Sequence, residues 1–430
     1  MDRDSLAGLE LKLMGITMCH NNSCYILFIL VTFISLWSWE LQYGGTYDEV
    51  IFSMKITNDN SYIVVGYSCI FDWYARYSFI AKVDSMGEII WTRTYDRGQL
   101  FDVAIAGDMD YLVSGYTLLY SDYYLYLMAI DEDGDTIWTK IIGDDYPGGK
   151  YCSIAKSKQQ KEYVIIWFDD PLTGQKAYVT KVDSIGDTVW SRTYGDHSNW
   201  GYSIIETRER DYICIAATQI SAGGSDVYIF KIDTYGMLLW NILYGGPGFD
   251  EAYFIDTTSD GNYIITGKTS LYYDILFDIY LLKINDDGDT LWTRKIGGED
   301  QSDIGRCVRP TTDGGYIITG WTYSYGIGTP DSSNVYLVKT DSEGYVEWER
   351  TFGGTGEDKG YSVSQTDDGG YIIAGVYDQG PHTDVYLIKT DSLGNVDWVR
   401  EVPTRPQEIT LKCSPNPFNS ACEITVSESA

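Results

Sequence analysis

The sequence predicts an all-β fold assembled from short, repeated strands, and three observations support this prediction. The 430 residues include 38 Tyr, 13 Trp and 44 Gly but only 10 Pro, a composition typical of many strands joined by tight turns. A ten-residue phrase recurs along the chain, for example as KINDDGDTLW at 283–292 and KTDSEGYVEW at 339–348. No segment with the period of an amphipathic helix interrupts the copies.

The recurring phrase ends at a tryptophan, which makes the length of the repeat easy to measure. The phrase-ending residues are Trp91, Trp138, Trp190, Trp240, Trp292, Trp348 and Trp398. An eighth, Trp39, has the same downstream sequence, WELQYGG, but lacks the phrase before it. Successive tryptophans lie 47 to 56 residues apart. The repeat is therefore about 50 residues long, as in the blades of propeller proteins.

Each repeat predicts four strands. In one copy these are GRCVRPTT, YIITG, NVYLVKT and VEWERTF, with the turns DGG and DSEG between neighbouring strands. Apolar residues on both faces of many strands predict sheets packed between other sheets. We therefore predict a seven-bladed β-propeller of about 50-residue, four-stranded repeats over residues 39–402. An open solenoid is the alternative. The strand around Trp39 predicts ring closure by joining the last blade, although it could equally be a vestige.

The phrase resembles a motif of a known family. K-x-D-x-x-G-x-x-x-W is similar to the tryptophan-docking motif of quinoprotein-type propellers (PQQ-like repeats), in which an Asp-containing turn precedes a Trp that packs between blades. The resemblance implies a structural role for the phrase-ending tryptophans. The quinone enzymes of that family use a vicinal disulfide, and this chain has no adjacent Cys pair. We therefore predict no quinone cofactor. The whole repeat also resembles those of large secreted bacterial proteins of mostly unassigned function.

Both ends of the chain predict export. Residues 25–39, YILFILVTFISLWSW, form an apolar run, so we predict a signal peptide or an uncleaved anchor in residues 1–38. We predict that residues 403–412 form a linker. Residues 414–426, SPNPFNSACEITV, resemble the opening of the C-terminal sorting domain of the type IX secretion system, here cut short within 413–430. We predict a secreted or cell-surface bacterial protein that contacts a membrane only through its N-terminal segment.

Charge and cysteine content exclude several classes of function. The formal charge of −31 argues against nucleic acid as a partner, because the chain lacks the cations needed to neutralise phosphates. The eight Cys and three His lack the spacing of a zinc site. Cys152 and Cys307 fall at matching positions in apolar strands, where we predict buried free thiols.

A set of acids is the candidate metal site. An Asp follows each of five tryptophans after 9 to 11 residues: Asp48, Asp102, Asp250, Asp303 and Asp358. At the mouth of a propeller channel such carboxylates would form a ring able to hold Ca²⁺. Alternatively, each Asp caps its own turn by accepting backbone N–H bonds. The Asp-rich turns at 131–135 and 286–289 lack the ligand positions of a calcium loop and predict hairpin turns.

The sequence predicts a binding protein in preference to an enzyme. Aromatic residues concentrate between the second and third strands of several repeats, where they either stack on sugars or pack loops onto the sheets. No G-x-S-x-G or phosphate-binding loop is present. We predict an exported, surface-associated, monomeric, non-catalytic module that binds a polysaccharide or a cell-surface protein. The alternative is a glycan-active enzyme that uses a carboxylate pair at the channel mouth.

Overall fold

The structure is a computed structural model that describes most of the repeat region and two N-terminal strands. The described residues are 9–20, 23–34, 38–45, 47–69, 76–107, 110–119, 122–142, 151–158, 161–168, 176–195, 199–218, 224–270, 276–299, 301–327, 329, 332–378, 380–396 and 398–401. Every regular element among them is a β-strand. Within these ranges, no helix has the length and apolar character needed to span a membrane.

Among the described residues, the first two strands pair with each other and with no other strand. They are β1 (Leu9–His20) and β2 (Ser23–Ile34), which run antiparallel. They cover much of the segment for which the sequence predicts a signal or an anchor. The predicted linker and sorting segment lie outside the described residues.

The other strands form four-stranded antiparallel units that follow one another along the chain. After β3 (Trp39–Tyr43), the strands of the first two units are β4 (Glu49–Ile56), β5 (Tyr62–Cys69), β6 (Arg76–Val83), β7 (Ile89–Ile105), β8 (Tyr111–Leu119), β9 (Asp122–Ile130) and β10 (Thr136–Ile142). The next two units consist of β11 (Cys152–Lys156), β12 (Tyr163–Phe168), β13 (Ala177–Val182), β14 (Thr188–Tyr194), β15 (Asn199–Glu206), β16 (Tyr212–Thr218), β17 (Asp226–Ile232) and β18 (Leu238–Tyr244). Two more consist of β19 (Asp250–Thr257), β20 (Tyr263–Thr269), β21 (Asp278–Ile284), β22 (Thr290–Ile296), β23 (Asp303–Pro310), β24 (Tyr316–Thr322), β25 (Asn334–Thr340) and β26 (Val346–Phe352). The last strands are β27 (Lys359–Gln365), β28 (Tyr371–Asp378), β29 (Thr383–Thr390) and β30 (Trp398–Glu401).

One long strand joins the first two units into a single sheet. Residues of β7 up to Arg97 pair with β6, whereas residues from Gly98 onward pair with β8. The same strand is therefore the fourth strand of one unit and the first strand of the next. As a result, β4 to β10 form one continuous seven-stranded sheet.

The N-terminal strand β3 completes the last unit, as the sequence predicts for ring closure. It pairs antiparallel with β29 and places Trp39 opposite Lys389, just as Trp292 lies opposite Lys283 in its own unit. Strand β30 then adds in parallel outside β3. The fourth position of this unit thus belongs to Trp39 and not to Trp398, because β3 already occupies the edge of β29.

The array of sheets closes on itself. The first strands of successive units contact one another in the order β4, β7, β11, β15, β19, β23 and β27, and β27 contacts β4 again. The Ser362 hydroxyl donates to the Met54 carbonyl across this last junction at 3.5 Å. Ile372 and Ile51 share one apolar core there. An open solenoid would leave these two ends apart.

The phrase tryptophans pack between units. Trp292 lies against Gly344 in the turn of the following unit, where a Cβ atom would come within 2.8 Å of the indole ring. Gly344 also has a φ of +80°, which favours glycine. The same contact joins Trp39 to Gly87, Trp91 to Gly134, Trp138 to Gly186, Trp190 to Gly236, Trp240 to Gly288 and Trp348 to Gly394. A flat indole therefore needs a turn without a side chain opposite it. Only the main chain of Trp398 is described.

Candidate functional site

The phrase that dominates the sequence is scaffolding. The Asp341 carboxylate accepts the backbone N–H groups of Glu343 and Tyr345, both at 2.9 Å. In KINDDGDTLW the side chain of Asn285 does the same for Asp287 and Asp289, at 3.1 and 2.8 Å. The first polar residue of the turn thus replaces missing backbone partners. The acids after it are not needed for this turn geometry.

The phrase lysine links two turns of one unit. Lys339 lies in β25 and its side chain is only 3% exposed, and its amine is 2.8 Å from the carboxylate of Asp313 in the preceding DGG turn. Lys283 and Asp260 repeat this ion pair at 2.7 Å. Partial burial acts to raise the pKa of Asp313, but hydrogen bonds from Lys339 and Thr311 outweigh it and lower that pKa to about 2.

Three of the five acids predicted as a calcium ring occupy one equivalent position, at the beginning of a first strand. Asp250, Asp303 and Asp358 each accept the N–H of a glycine in the preceding turn. The donors are Gly246 at 2.8 Å, Gly298 at 2.7 Å and Gly354 at 2.6 Å, respectively. All three acids are at most 5% exposed. Their geometry is that of a turn cap, the alternative that the sequence left open.

The other two acids lie elsewhere. In the unit of Asp48, the equivalent turn cap is Glu49, which accepts the N–H of Gly45 at 3.0 Å. Asp48 instead accepts the N–H of Thr383 at 3.0 Å. The five acids therefore do not share one height in the ring. Within the described ranges, no group of three or more His, Cys, Asp or Glu side chains is placed to hold a metal ion.

Asp102 lies within β7 and ties neighbouring first strands together. One of its carboxylate oxygens accepts the Ser53 hydroxyl at 2.9 Å. The other accepts the Ser153 hydroxyl at 3.0 Å and the Ile154 N–H at 2.9 Å. Because Ser53 belongs to β4 and Ser153 to β11, this carboxylate bridges three consecutive units.

A belt of large side chains crosses the centre of the ring, which the sequence reasoning missed. In most units the pairing between the first and second strands shifts by one residue, so that one residue of the first strand has no partner. In the unit of β11, Tyr151 immediately precedes the first strand. The belt, as we call it, consists of Phe52, Phe101, Tyr151, Tyr202, Tyr253, Arg306 and Tyr361. These residues recur every 49 to 55 positions, close to the tryptophan period, and that recurrence was a usable signal. β-Bulges of this kind commonly re-aim a side chain.

Contacts within the belt run round the ring and across it. Phe52 and Phe101 have ring centroids 4.9 Å apart, and Phe52 and Tyr361 are 5.4 Å apart. The Arg306 guanidinium carbon lies 4.8 Å from the ring centre of Tyr253 and 5.2 Å from that of Tyr151. Since Arg306 and Tyr151 come from non-adjacent units, the arginine reaches across the axis. The belt therefore narrows the central channel.

A cavity lies beyond the belt, toward the ends of the first strands. Its volume is about 350 Å³. Its charged lining residues are Lys55, Asp102, Lys156, Lys158, Glu206, Asp256 and Arg309, and Ile154, Ile204, Ile205 and Phe254 form apolar wall. Lys156 and Lys158 are exposed to solvent. The cavity is thus open on the side of the first hairpin turns.

Two cations that line the cavity, Arg309 and Lys55, differ in their partners. The Arg309 guanidinium lies 3.0 Å from the Asp256 carboxylate, and its carbon lies 4.6 Å from the ring centre of Phe254. Lys55 has no ion pair or hydrogen bond with any described residue. Burial first, and then the charge of Arg309, lowers the pKa of the Lys55 amine.

Of the aromatic residues between second and third strands, some pack against other side chains and others are exposed to solvent. Tyr325 is 42% exposed, whereas the Trp321 ring lies 6.1 Å from that of Tyr361 in the belt. Tyr77, Tyr124 and Tyr323 are half-buried. Phe71, Trp73, Tyr74, Tyr120, Tyr272 and Tyr273 lie outside the described residues. Cys152 and Cys307 are buried free thiols, which confirms the prediction for both.

Comparison with known proteins identifies a fold and no family. No protein-family model and no curated protein matches the chain. Puromycin hydrolase is similar in structure, with a TM-score of 0.51 and 11% identity over 81% of this chain and 53% of that chain, so this chain spans about half its length. A protein of unknown function from Dyadobacter fermentans gives a TM-score of 0.46 and 11% identity over 82% of this chain and 97% of that one. Drosophila semaphorin 1b extracellular domains give 0.47 and 8% identity over 83% and 86% of the two chains, respectively. Such low identities indicate fold alone. The chain is an all-β protein of repeated four-stranded sheets that resembles propeller folds.

Proposed function

We propose that this chain is an exported, surface-associated, seven-bladed β-propeller that acts as a non-catalytic binding module. The blade count rests on assigning β7 to two units and β3 to the last, so that blades begin at β4, β7, β11, β15, β19, β23 and β27. The apolar run at 25–39 and the sorting-domain resemblance at 414–426 support export to the cell surface.

The observation that carries the binding function is the central cavity. Its walls are first strands held in hydrogen-bonded ladders, so its shape is formed before any ligand arrives. Its volume of about 350 Å³ falls within the usual range for small-molecule sites. Seven charged residues share the lining with apolar ones, so the cavity suits a small polar molecule.

A larger partner is proposed for the outer surface. The exposed ring of Tyr325, next to half-buried Tyr323, offers a flat apolar face for a sugar ring or a protein loop. We propose a polysaccharide or a cell-surface protein as this partner, bound by a monomer.

One observation favours glycan hydrolysis as a second candidate. Asp278 and Asp303 flank Gly297, and one oxygen of the buried Asp303 carboxylate has no hydrogen-bond partner in the described part of the chain. Burial first, and then Asp303, raises the pKa of Asp278, as in a general acid. However, Asp226 and Asp250 flank a glycine in the same way, and such recurrence is expected of a structural feature.

Two screens on the full-length chain test the proposal. A glycan array and a thermal-shift panel of small metabolites measure binding, and release of reducing sugar from polysaccharides measures hydrolysis. Saturable binding without sugar release supports the binding module. Sugar release that is lost in Asp303→Asn would establish the enzyme instead, and the absence of any ligand from both binding screens would overturn the module.

A further inference from the structure

The level of the cavity just beyond the belt brings together charges from separate units. Lys55 pairs with Ile63, the second residue of β5, and Arg309 pairs with Ile317, the second residue of β24. Asp256 pairs with Ile264, the second residue of β20. Equal register places all three residues at one height of the ring. The two cations therefore face the same space from different strands.

Asp256 and Asp102, two acids in this space, already form an ion pair or accept hydrogen bonds. Asp256 is within 3.0 Å of Arg309 and also accepts the N–H of Thr257 at 2.8 Å. The Asp102 carboxylate accepts hydrogen bonds from both neighbouring first strands and from its own chain at Val103. Neither acid forms an ion pair with Lys55. Lys55, which lines the same cavity, is consequently left without an ion pair among the described residues.

Two hydrogen-bond donors, on Arg309 and Lys55, have no acceptor among the described residues. The Nε–H of Arg309 is buried and has no hydrogen-bond partner among the described residues. The Lys55 amine has three donor hydrogens and no described acceptor. Lys55 is half-buried, so its charge is only partly hydrated and favours an anionic partner. An oxyanion in the cavity would supply that partner beside the positive charge of Arg309.

The charge balance of the cavity differs from that of the whole protein. The chain carries a formal charge of −31. Around the cavity, the cations Lys55, Lys156, Lys158 and Arg309 outnumber the acids Asp102, Glu206 and Asp256. Lys156 and Lys158 are exposed at its open side. A locally cationic cleft steers anions toward itself, most strongly at low ionic strength.

We propose that the central cavity binds the carboxylate or phosphate group of a small organic anion through the Lys55 amine and the Arg309 guanidinium. This inference rests on the proposed function as a binding module and specifies the ligand class of its cavity. The apolar wall of Ile204, Ile205 and Phe254 contacts the carbon part of the ligand. The volume of about 350 Å³ limits that ligand to the size of a monosaccharide acid or a sugar phosphate.

Isothermal titration of the full-length chain tests the assignment with probes that differ in charge. D-Glucuronate and glucose 6-phosphate represent the carboxylate and phosphate classes, and glucose is the neutral control. We expect one or both anions to bind and glucose not to bind measurably. Lys55→Gln should weaken anion binding about tenfold or more, since it removes one charge-assisted contact. Lys55 is half-buried and forms no ion pair with a described residue, so the Lys55→Gln variant is expected to fold.

Matched variants separate the site from general charge effects. Lys140 lies on the outer strand β10, paired with Asp187 at 2.6 Å, and Lys140→Gln changes the net charge equally outside the cavity. Arg309→Lys keeps a positive charge beside Asp256 but replaces the planar guanidinium with a single amine. We expect Lys140→Gln to bind like the natural protein and Arg309→Lys to bind more weakly.

The pH dependence gives an independent readout. The groups facing Lys55 are Arg309 and Cys307 from β23, Asp102 from β7 and Asp256 from β19. Because its pKa is lowered, more of the amine becomes protonated as the pH falls, whereas glucuronate stays ionised. Glucuronate affinity should therefore rise as the pH falls below the range in which an ordinary lysine amine titrates.

The assignment would be overturned by equal binding of glucose and the anions, by unchanged anion affinity in Lys55→Gln, or by an equal loss in Lys140→Gln. A neutral ligand that binds in the cavity would refute the anion assignment and leave the binding module standing. Failure of every probe at millimolar concentration would refute the anion site, whereas failure of the broad binding screens would refute the module itself.

Discussion

Replacing Trp39 with alanine should destabilise this protein more than replacing any tryptophan that stays partly exposed. Trp39 is 0% exposed, lies against Gly87 and donates its indole N–H to the Ser85 carbonyl at 3.2 Å. It also anchors β3, the strand that completes the last unit. The change therefore removes a packed ring, one hydrogen bond and the contact that closes the array.

The expected loss follows from the area that the indole buries. A tryptophan buries about 150–250 Å², and truncation to alanine in a core costs about 3–5 kcal/mol. Loss of the hydrogen bond adds about 1 kcal/mol. We expect a decrease of about 4 kcal/mol in the free energy of unfolding for Trp39→Ala. Trp292 is only half-buried, so Trp292→Ala should cost about half as much.

Urea unfolding followed by far-ultraviolet circular dichroism measures both losses, with the transition midpoint as readout and an unchanged slope as the check on two-state behaviour. Trp39→Phe is the control that keeps a ring but not the N–H. Gly87→Ala supplies a second test, because its Cβ would lie 3.1 Å from the Trp39 ring. In a double-mutant cycle, Gly87→Ala should cost less when Trp39 is already alanine. A loss below about 1 kcal/mol for Trp39→Ala, or a larger one for Trp292→Ala, would refute closure of the ring through β3.

Three further predictions concern the acids. The pKa of Asp313 is held near 2, below its ordinary value, so its stabilisation is complete above about pH 4 and is lost as the pH falls toward 2. The stability difference between the natural protein and Asp313→Asn should shrink over that range in acid titrations, and a constant difference would contradict the ion pair with Lys339. Asp341→Ala should cost about 1–2 kcal/mol in urea melts because two backbone N–H groups lose their acceptor, whereas Asp287→Asn should change stability by less than about 0.5 kcal/mol. An equal cost for both would show that the turn depends on charge and not on the cap. Millimolar Ca²⁺ should leave the melting temperature unchanged, because three of the five predicted ligands already accept N–H bonds within their turns; a rise would show that these acids rearrange around the ion.

The repeat explains why so much of the fold could be predicted from one sequence. A strand pattern, a turn residue or a docking tryptophan that occurs once is weak evidence, but each recurs here with nearly constant spacing. Asp341 and Asn285 occupy the same turn position because the turn requires a short polar acceptor there. Local chemistry of this kind is written in neighbouring residues, so the sequence alone reveals it.

The predicted calcium ring shows where that reasoning fails. Asp48 and Asp250 follow their tryptophans at almost the same distance, yet Glu49 and not Asp48 is the structural equivalent of Asp250. A difference of one residue in a loop reverses which face of a strand a side chain occupies. Glu49 and Asp250 both lie ten residues after their tryptophans, whereas Asp303 lies eleven after Trp292, so a count that accepts 9 to 11 residues admits side chains from both faces.

By itself, the sequence determined the all-β class, the four-stranded repeat and the polar hairpin turns between the strands. These features depend on contacts between residues close in the chain or on the repetition of one pattern. Only the tertiary structure decided that Trp39 takes the fourth position in place of Trp398, that Arg306 crosses the axis toward Tyr151, and that Lys55 shares a cavity with Arg309. Lys55 and Arg309 are separated by most of the chain and meet because closure of the ring sets first strands of distant units at one height.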